Sequence, residues 1–131
     1  MAEQMQSMPG MQECIDACRR CHDTCLRMSM THCLQLGGRH TEPDHFQLMI
    51  NCAELCQTTA NFMLSDSSVH GAVSGACAEV CAACARSCES VGDMDECVAA
   101  CRRCVDTCSA MAADYRMRTQ SSVAGAGAHQ H

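Results

Sequence analysis

Apolar residues in this chain recur at alternating intervals of three and four positions, the period of a helix with one buried face. Four segments carry this pattern, and clusters of Gly, Pro and Ser separate them. Residues that favour strands are few, and no segment alternates polar and apolar residues with a period of two. The sequence therefore predicts an all-α protein.

Turn and capping residues set the predicted limits of the helices. Gly37-Gly38 ends the first helix. Thr41 is the predicted N-cap of the second helix, and Pro43 lies in its first turn. With their caps, the predicted helices cover about residues 11–36, 41–64, 69–91 and 93–117. Short connections favour antiparallel neighbours, so we predict an up-down four-helix bundle.

The helical pattern also divides the chain into three parts. Residues 1–10 form a Met-rich N-terminal leader, and residues 11–118 form the bundle. Residues 119–131 are rich in Ser, Gly and Ala, and we predict that this C-terminal tail is disordered.

Cysteine occupies the positions that a bundle normally gives to Leu or Ile. Three segments repeat Cys at intervals of four, three and four, which confines each quartet to an arc of about 60° along about 16 Å of helix. Residues 13–28 and 96–111 agree at 11 of 16 positions, so the first and fourth helices are copies of one unit. The predicted core is therefore lined by Cys. All fifteen are candidate metal ligands: Cys14, Cys18, Cys21, Cys25, Cys33, Cys52, Cys56, Cys77, Cys81, Cys84, Cys88, Cys97, Cys101, Cys104 and Cys108.

Met and His continue the same stripe towards the two ends of the bundle. These residues are candidate ligands for admitting metal. For this role we favour the end that gathers Met11, Met63, His70 and Met111, because the leader places Met5 and Met8 beside it. His22 and His40 fall off the stripe and are expected in solvent. One end gathers Met11, Met63, His70 and Met111, and the other gathers His32, Cys33, His45, Met49 and Met94.

Composition restricts the environment of these thiols. Fifteen Cys in 131 residues would suit a disulfide scaffold in a secreted protein, but the count is odd. Residues 1–10 lack the basic and apolar regions of an export signal, and no segment is apolar enough for a membrane span. We therefore expect a cytoplasmic protein with reduced thiols. Its net charge of −6 disfavours nucleic acid as a partner.

Helical thiols at this spacing favour copper(I) over other metals. Soft thiolates select Cu(I), Zn or iron–sulfur clusters. Pairs three or four residues apart suit the low coordination number of Cu(I), and one Cu(I) per thiolate leaves a buried core neutral. Zn(II) held by four thiolates leaves two negative charges, which are costly to bury. We therefore expect multiple Cu(I) ions per chain.

Other interpretations stay open at this point. A zinc or general thiolate buffer of the metallothionein kind is the main alternative, followed by an iron–sulfur electron carrier and a copper-responsive DNA-binding regulator. The spacing of Cys14, Cys18 and Cys21 also matches the radical SAM motif, but that enzyme class needs a larger α/β barrel. Cysteine as a plain core filler explains one or two residues, not a repeated stripe. We predict no enzymatic activity.

The repeated helical C-x3-C-x2-C-x3-C segments resemble those of the bacterial copper storage proteins, over about residues 11–117. The resemblance implies a cytosolic homotetramer of bundles that each hold many Cu(I) ions on inward Cys, with copper admitted at an end supplied with His or Met. Delivery by a copper chaperone or a small thiol fits this expectation. Thr59 and Met63 stand where further thiols would continue the stripe, which places the capacity per chain in question.

Overall fold

The computed structural model describes residues 10–130, with side chains up to residue 120. The Met-rich leader, apart from Gly10, lies outside the described residues. Within them the chain forms four helices and no strand, which confirms the predicted all-α bundle. None of these helices combines the length and hydropathy needed to cross a membrane.

Helix α1 covers residues 11–36 in three parts: an α-helix at Met11–Met28, a π-helical turn at Ser29–Cys33 and a last α-turn at Leu34–Leu36. A 3-10 turn at Gly38–Thr41 leads to α2, Pro43–Leu64. Helix α3 covers His70–Val91, and α4 covers Asp95–Gln130.

Two glycines make the sharp connections possible. Gly37 ends α1 with φ of 65°, and Gly92 ends α3 with φ of 85°, while its N–H donates to the carbonyl of Cys88 at 3.0 Å. Side chains with a Cβ rarely adopt this left-handed region, so glycine is favoured at both positions. These turns reverse the chain within a few residues and produce the antiparallel order of helices.

The four helices close into a ring. Each packs against the helix before and after it in the chain, and α1 also packs against α4. The interior of the ring contains few large aliphatic side chains; Ile15 and several Ala accompany the sulfur-containing residues there. Cys and Met fill such a core as small or flexible apolar groups.

Two predicted helix limits differ from the structure. Thr41 does not cap α2, because it belongs to the 3-10 turn and its Oγ1 donates to the carbonyl of Gly38 at 3.2 Å. Glu42 occupies the N-cap position instead, directly before Pro43. At the other terminus, α4 continues to Gln130, past the predicted end near residue 117. The boundary drawn between bundle and tail therefore falls inside this helix and stays a prediction.

Candidate metal centre

All fifteen cysteine side chains are buried, each with no exposed surface, and all are free thiols. The helical period explains this arrangement, because residues three and four apart share one face of each helix. α1, α3 and α4 each contribute a complete quartet to the interior, whereas α2 contributes only Cys52 and Cys56. The three repeated segments thus point at one another across the bundle.

Eleven of these thiols form one continuous network, which we call the thiol column. Neighbouring sulfurs within it lie 3.5–4.0 Å apart. The contacts run between all four helices, so no helix holds a separate site of its own. The column consists of Cys14, Cys18, Cys21, Cys25, Cys52, Cys56, Cys77, Cys81, Cys101, Cys104 and Cys108.

The sulfur spacing within the column fits a metal ion. A metal about 2.3 Å from each sulfur separates sulfurs by about 3.8 Å in a tetrahedron and by about 4.0 Å in a trigonal plane. Three sets of four thiols have all their sulfurs within 4.8 Å of one another. Cys21 and Cys104 each belong to two sets, so neighbouring ions would share these ligands. The sets are Cys18, Cys77, Cys104 and Cys108; Cys21, Cys25, Cys52 and Cys101; and Cys21, Cys56, Cys81 and Cys104.

Hydrogen bonds between neighbouring thiols of the column shift their pKa values in opposite directions. Hydrogen bonds from Cys108 and Cys18 lower the pKa of Cys14 to about 4, against the effect of burial. Hydrogen bonds with Cys104 and Cys108 raise the pKa of Cys18, and its burial raises that pKa further. A metal that binds to these thiols displaces their protons.

Three further thiols extend the interior towards the end of the bundle where α2 begins. Met49 connects two of them, because its Sδ lies 3.5 Å from the sulfur of Cys88 and 3.8 Å from that of Cys84. Cys97, at the start of α4, is the third. Hydrogen bonds from Cys84 and Cys97 lower the pKa of Cys88 to about 5. Thioether and thiol sulfurs thus form one soft lining here.

Cys33 lies beyond these thiols, among nitrogen donors. Its sulfur is 3.8 Å from His40 Nδ1, 3.8 Å from His45 Nε2 and 3.9 Å from Met94 Sδ. Cys33, His45 and Met94 are buried, and His40 is partly buried. Burial lowers the pKa of His45 and raises the pKa of Cys33. We call this group the histidine corner.

The helical rhythm places His32 on the inner face, but the structure gives that place to Cys33. The π-helical turn at Ser29–Cys33 inserts one extra residue into the helix, which moves the inward direction from position 32 to position 33. The side chain of His32 is 29% exposed, and its Nε2 donates to the carbonyl of Asp93 at 2.8 Å. His40, expected in solvent, faces Cys33 instead.

The opposite end of the bundle is apolar apart from two polar groups. Met11, Met63 and Met111 are each at most 2% exposed. His70 and Ser74 are also buried, and His70 Nδ1 and Ser74 Oγ have no hydrogen-bond partner among the described residues. We call this group, without Ser74, the methionine end. A buried nitrogen without a partner is destabilising by itself and is available to a ligand.

Thr59 and Tyr115 also occupy positions of the helical pattern that carries the cysteines. Thr59 is fully buried, and its hydroxyl donates to the carbonyl of Leu55 at 2.7 Å, so it is satisfied without a metal. Tyr115 is half-buried, with its ring centroid 6.3 Å from that of His70. His22, off the stripe, contacts the carbonyl of Ala53 at 2.7 Å.

Buried free thiols contributed by every helix of a bundle are the donor set of a metal-binding protein. The family model of the copper storage protein matches residues 6–113, and the chain belongs to that family. A crystal structure of a protein from Nitrosospira multiformis is similar to it, with 58% sequence identity and a TM-score of 0.78. The match covers 79% of this chain and 95% of the other. No curated protein gives a significant match.

Proposed function

We propose that the protein stores copper as Cu(I), in the cytoplasm, on the thiolates of its interior, with several ions per chain and no catalytic role. The observation that carries this proposal is the thiol column, in which eleven buried sulfurs lie 3.5–4.0 Å from their neighbours. Family membership supports copper as the metal. The fifteen free thiols suit a reducing compartment such as the cytoplasm.

Charge favours Cu(I) over Zn(II) in the column. The four-thiol sets have sulfur spacings that also suit tetrahedral Zn(II), which keeps a zinc buffer as the second candidate. However, the sets share Cys21 and Cys104, and a buried Zn(II) with four thiolates would leave uncompensated negative charge. When the number of Cu(I) ions equals the number of thiolates, no charge remains in the core. A continuous chain of thiolates that neighbouring ions share therefore suits Cu(I).

Titration of the reduced protein with Cu(I), in the presence of a competing chelator, tests the proposal. We expect binding to continue to roughly one copper per Cys, because each thiolate compensates one ion. Saturation at one or two equivalents would contradict storage. A parallel titration with Zn(II) is the control, and displacement of bound Cu(I) by equimolar Zn(II) would favour the zinc buffer instead.

We propose that copper is admitted at the methionine end, from a copper chaperone or a small thiol. The thioethers of Met11, Met63 and Met111 and the free Nδ1 of His70 are soft or borderline ligands that lie between solvent and the column. Cys14, which is fully buried and belongs to the column, is the first thiol of α1 behind them. An incoming ion therefore meets weak ligands first and a thiol of the column next.

Replacing His70 by Ala is expected to slow Cu(I) uptake several-fold more than replacing His45 by Ala, since only His70 lies at the proposed end. Stopped-flow measurement of Cu(I)–thiolate absorbance gives both rates, and His22→Ala serves as a control for loss of a histidine elsewhere. Equal slowing by His70→Ala and His45→Ala would refute a single point of admission.

We further propose that four chains assemble, as the family resemblance implies. Leu26, Met30 and Leu34 lie four residues apart on α1 and are 40%, 45% and 54% exposed, so they offer an apolar row to another copy. Light scattering in solution tests this: a mass of one chain would rule out the tetramer.

A further inference from the structure

The histidine corner differs in chemistry from every other group of ligands in the bundle. The column contains sulfur alone, whereas this corner combines one thiol, two imidazoles and one thioether. The ligand atoms of Cys33, His40 and His45 all lie within 4.8 Å of one another. Three elements that follow one another closely in the chain supply these ligands, namely the π-helical turn, the 3-10 turn and the first turn of α2.

Neighbouring groups hold these donors in place. The π-helical turn directs Cys33 inward, and such turns often occur at functional sites. His45 Nδ1 lies 2.8 Å from the hydroxyl of Ser87, which leaves Nε2 facing Cys33. A second partner of this kind fixes the orientation of ligating imidazoles in metal sites. The corner is therefore supported by contacts outside its own ligands.

The distances within the corner fit a single metal ion. An ion about 2.3 Å from sulfur and about 2.05 Å from nitrogen separates these atoms by about 3.6 Å in a tetrahedron and by about 3.8 Å in a trigonal plane. Both sulfur–nitrogen distances are 3.8 Å. Trigonal His2Cys coordination with a weak, long axial Met is the donor arrangement of blue-copper sites. Met94, with its Sδ 3.9 Å from the Cys33 sulfur, is placed for the axial role.

We propose that Cys33, His40 and His45, with Met94 as a weak axial ligand, form a single copper site that holds Cu(II) as well as Cu(I). Binding of Cu(II) forms a bond between copper and the Cys33 sulfur and releases the thiol proton to solvent. The copper site then carries one positive charge, at an end of the bundle where His40 is partly exposed to water.

Isolation from other thiols allows Cu(II) to persist there. Two thiols reduce two Cu(II) ions to Cu(I) by forming a disulfide and releasing two protons, which requires the sulfurs to come about 2 Å apart. Within the described side chains, no other thiol lies within hydrogen-bond distance of Cys33. In the column, by contrast, every sulfur has another sulfur within 4.0 Å. The column would thus reduce Cu(II), and the corner would not.

The choice of copper at this site rests on the proposed function, whereas the donor geometry does not. The test therefore begins with Co(II), which takes similar ligands and does not oxidise thiols. The protein is loaded with Cu(I), and the most weakly held ions are removed with a chelator. One equivalent of Co(II) is then added. We expect thiolate-to-cobalt charge transfer and the intense visible bands of four-coordinate Co(II), saturating at one ion per chain.

Variants assign the cobalt signal to the corner. Cys33→Ser should abolish the charge-transfer band, and His40→Ala should weaken binding at least tenfold, whereas the control His22→Ala should change neither. A band that survives in Cys33→Ser would overturn the proposal. If the column fails to take up Cu(I) while the cobalt band still depends on Cys33, the storage function fails and the corner site stands.

Cu(II) is then added in place of Co(II). We expect an intense visible thiolate-to-copper band and one electron paramagnetic resonance signal per chain, both absent in Cys33→Ser. Met94→Leu should shift the resonance parameters without abolishing the band. Loss of thiols without a copper–thiolate band would contradict a site that holds Cu(II).

Discussion

Filling the column with Cu(I) is expected to raise the midpoint of thermal unfolding by at least about 20 °C. The metal-free core contains mainly Cys, Ala and Met, which bury little apolar area per residue. A ligand that binds only the folded state at 100 times its Kd adds about 2.7 kcal/mol per site. Five such sites would add about 13 kcal/mol, and each kcal/mol shifts the midpoint of a domain this size by about 3 °C.

Calorimetry of the reduced protein, with and without Cu(I), measures this effect. Cys33→Ser is the matched control, because it leaves the eleven thiols of the column intact and should retain most of the rise. Zn(II) should stabilise the protein less than Cu(I), since it leaves charge in the core. A rise below about 5 °C at saturation would mean that the ions do not cross-link the helices, and a larger rise with Zn(II) would favour the zinc buffer.

The thiol column could be predicted because it depends only on the period of the helix. Cys14, Cys18, Cys21 and Cys25 share a face of any regular α-helix that contains them, and the glycine and proline signals fix where the helices turn. Antiparallel packing then brings the quartets together. The fold class and the buried thiols follow from these local rules without any knowledge of the tertiary contacts.

The histidine corner could not be predicted in the same way, because it depends on a departure from the regular helix. The hydroxyls of Ser29 and Thr31 donate to the carbonyls of Leu26 and Arg27, at 2.9 and 2.7 Å. Bonds of this kind bend helices, and here they accompany the π-helical turn. Two hydroxyl residues in the last turns of a helix are a weak signal, and they do not fix the register of Cys33.

His40 shows a second limit of sequence analysis. It lies between helices, where no period relates it to the inner face, and only the path of the 3-10 turn brings it to Cys33. Its spacing, five residues before His45, is compatible with a metal site but equally with two solvated side chains. Whether the two histidines form a metal site or stay in solvent depends on where the 3-10 turn packs in the bundle. No periodic pattern in the sequence predicts the packing of such a short turn.

The close approach of α3 to α4 near the methionine end gives the second large expected effect. A Cβ at Gly71 would lie 2.0 Å from the Cβ of Tyr115 and 2.1 Å from its Cγ. These atoms belong to the base of the tyrosine side chain, so a change of rotamer cannot remove the clash. Only separation of the two helices can do so, and that exposes His70 and loosens the packing around it.

Gly71→Ala is therefore expected to lower the free energy of unfolding by about 2–3 kcal/mol, in the range for an overpacked core position. Gly75→Ala is the matched control on the same helix, because its Cβ would lie 3.6 Å from the Cβ of Ala112, an ordinary contact. The higher helix propensity of Ala should make that variant neutral or more stable by up to about 1 kcal/mol. Urea unfolding of both metal-free variants separates the effects.

A second substitution tests the origin of the destabilisation. Since the clash involves the Cβ of Tyr115, which alanine keeps, Tyr115→Ala should fail to rescue Gly71→Ala. A full rescue would show that the helices are further apart than the structure indicates.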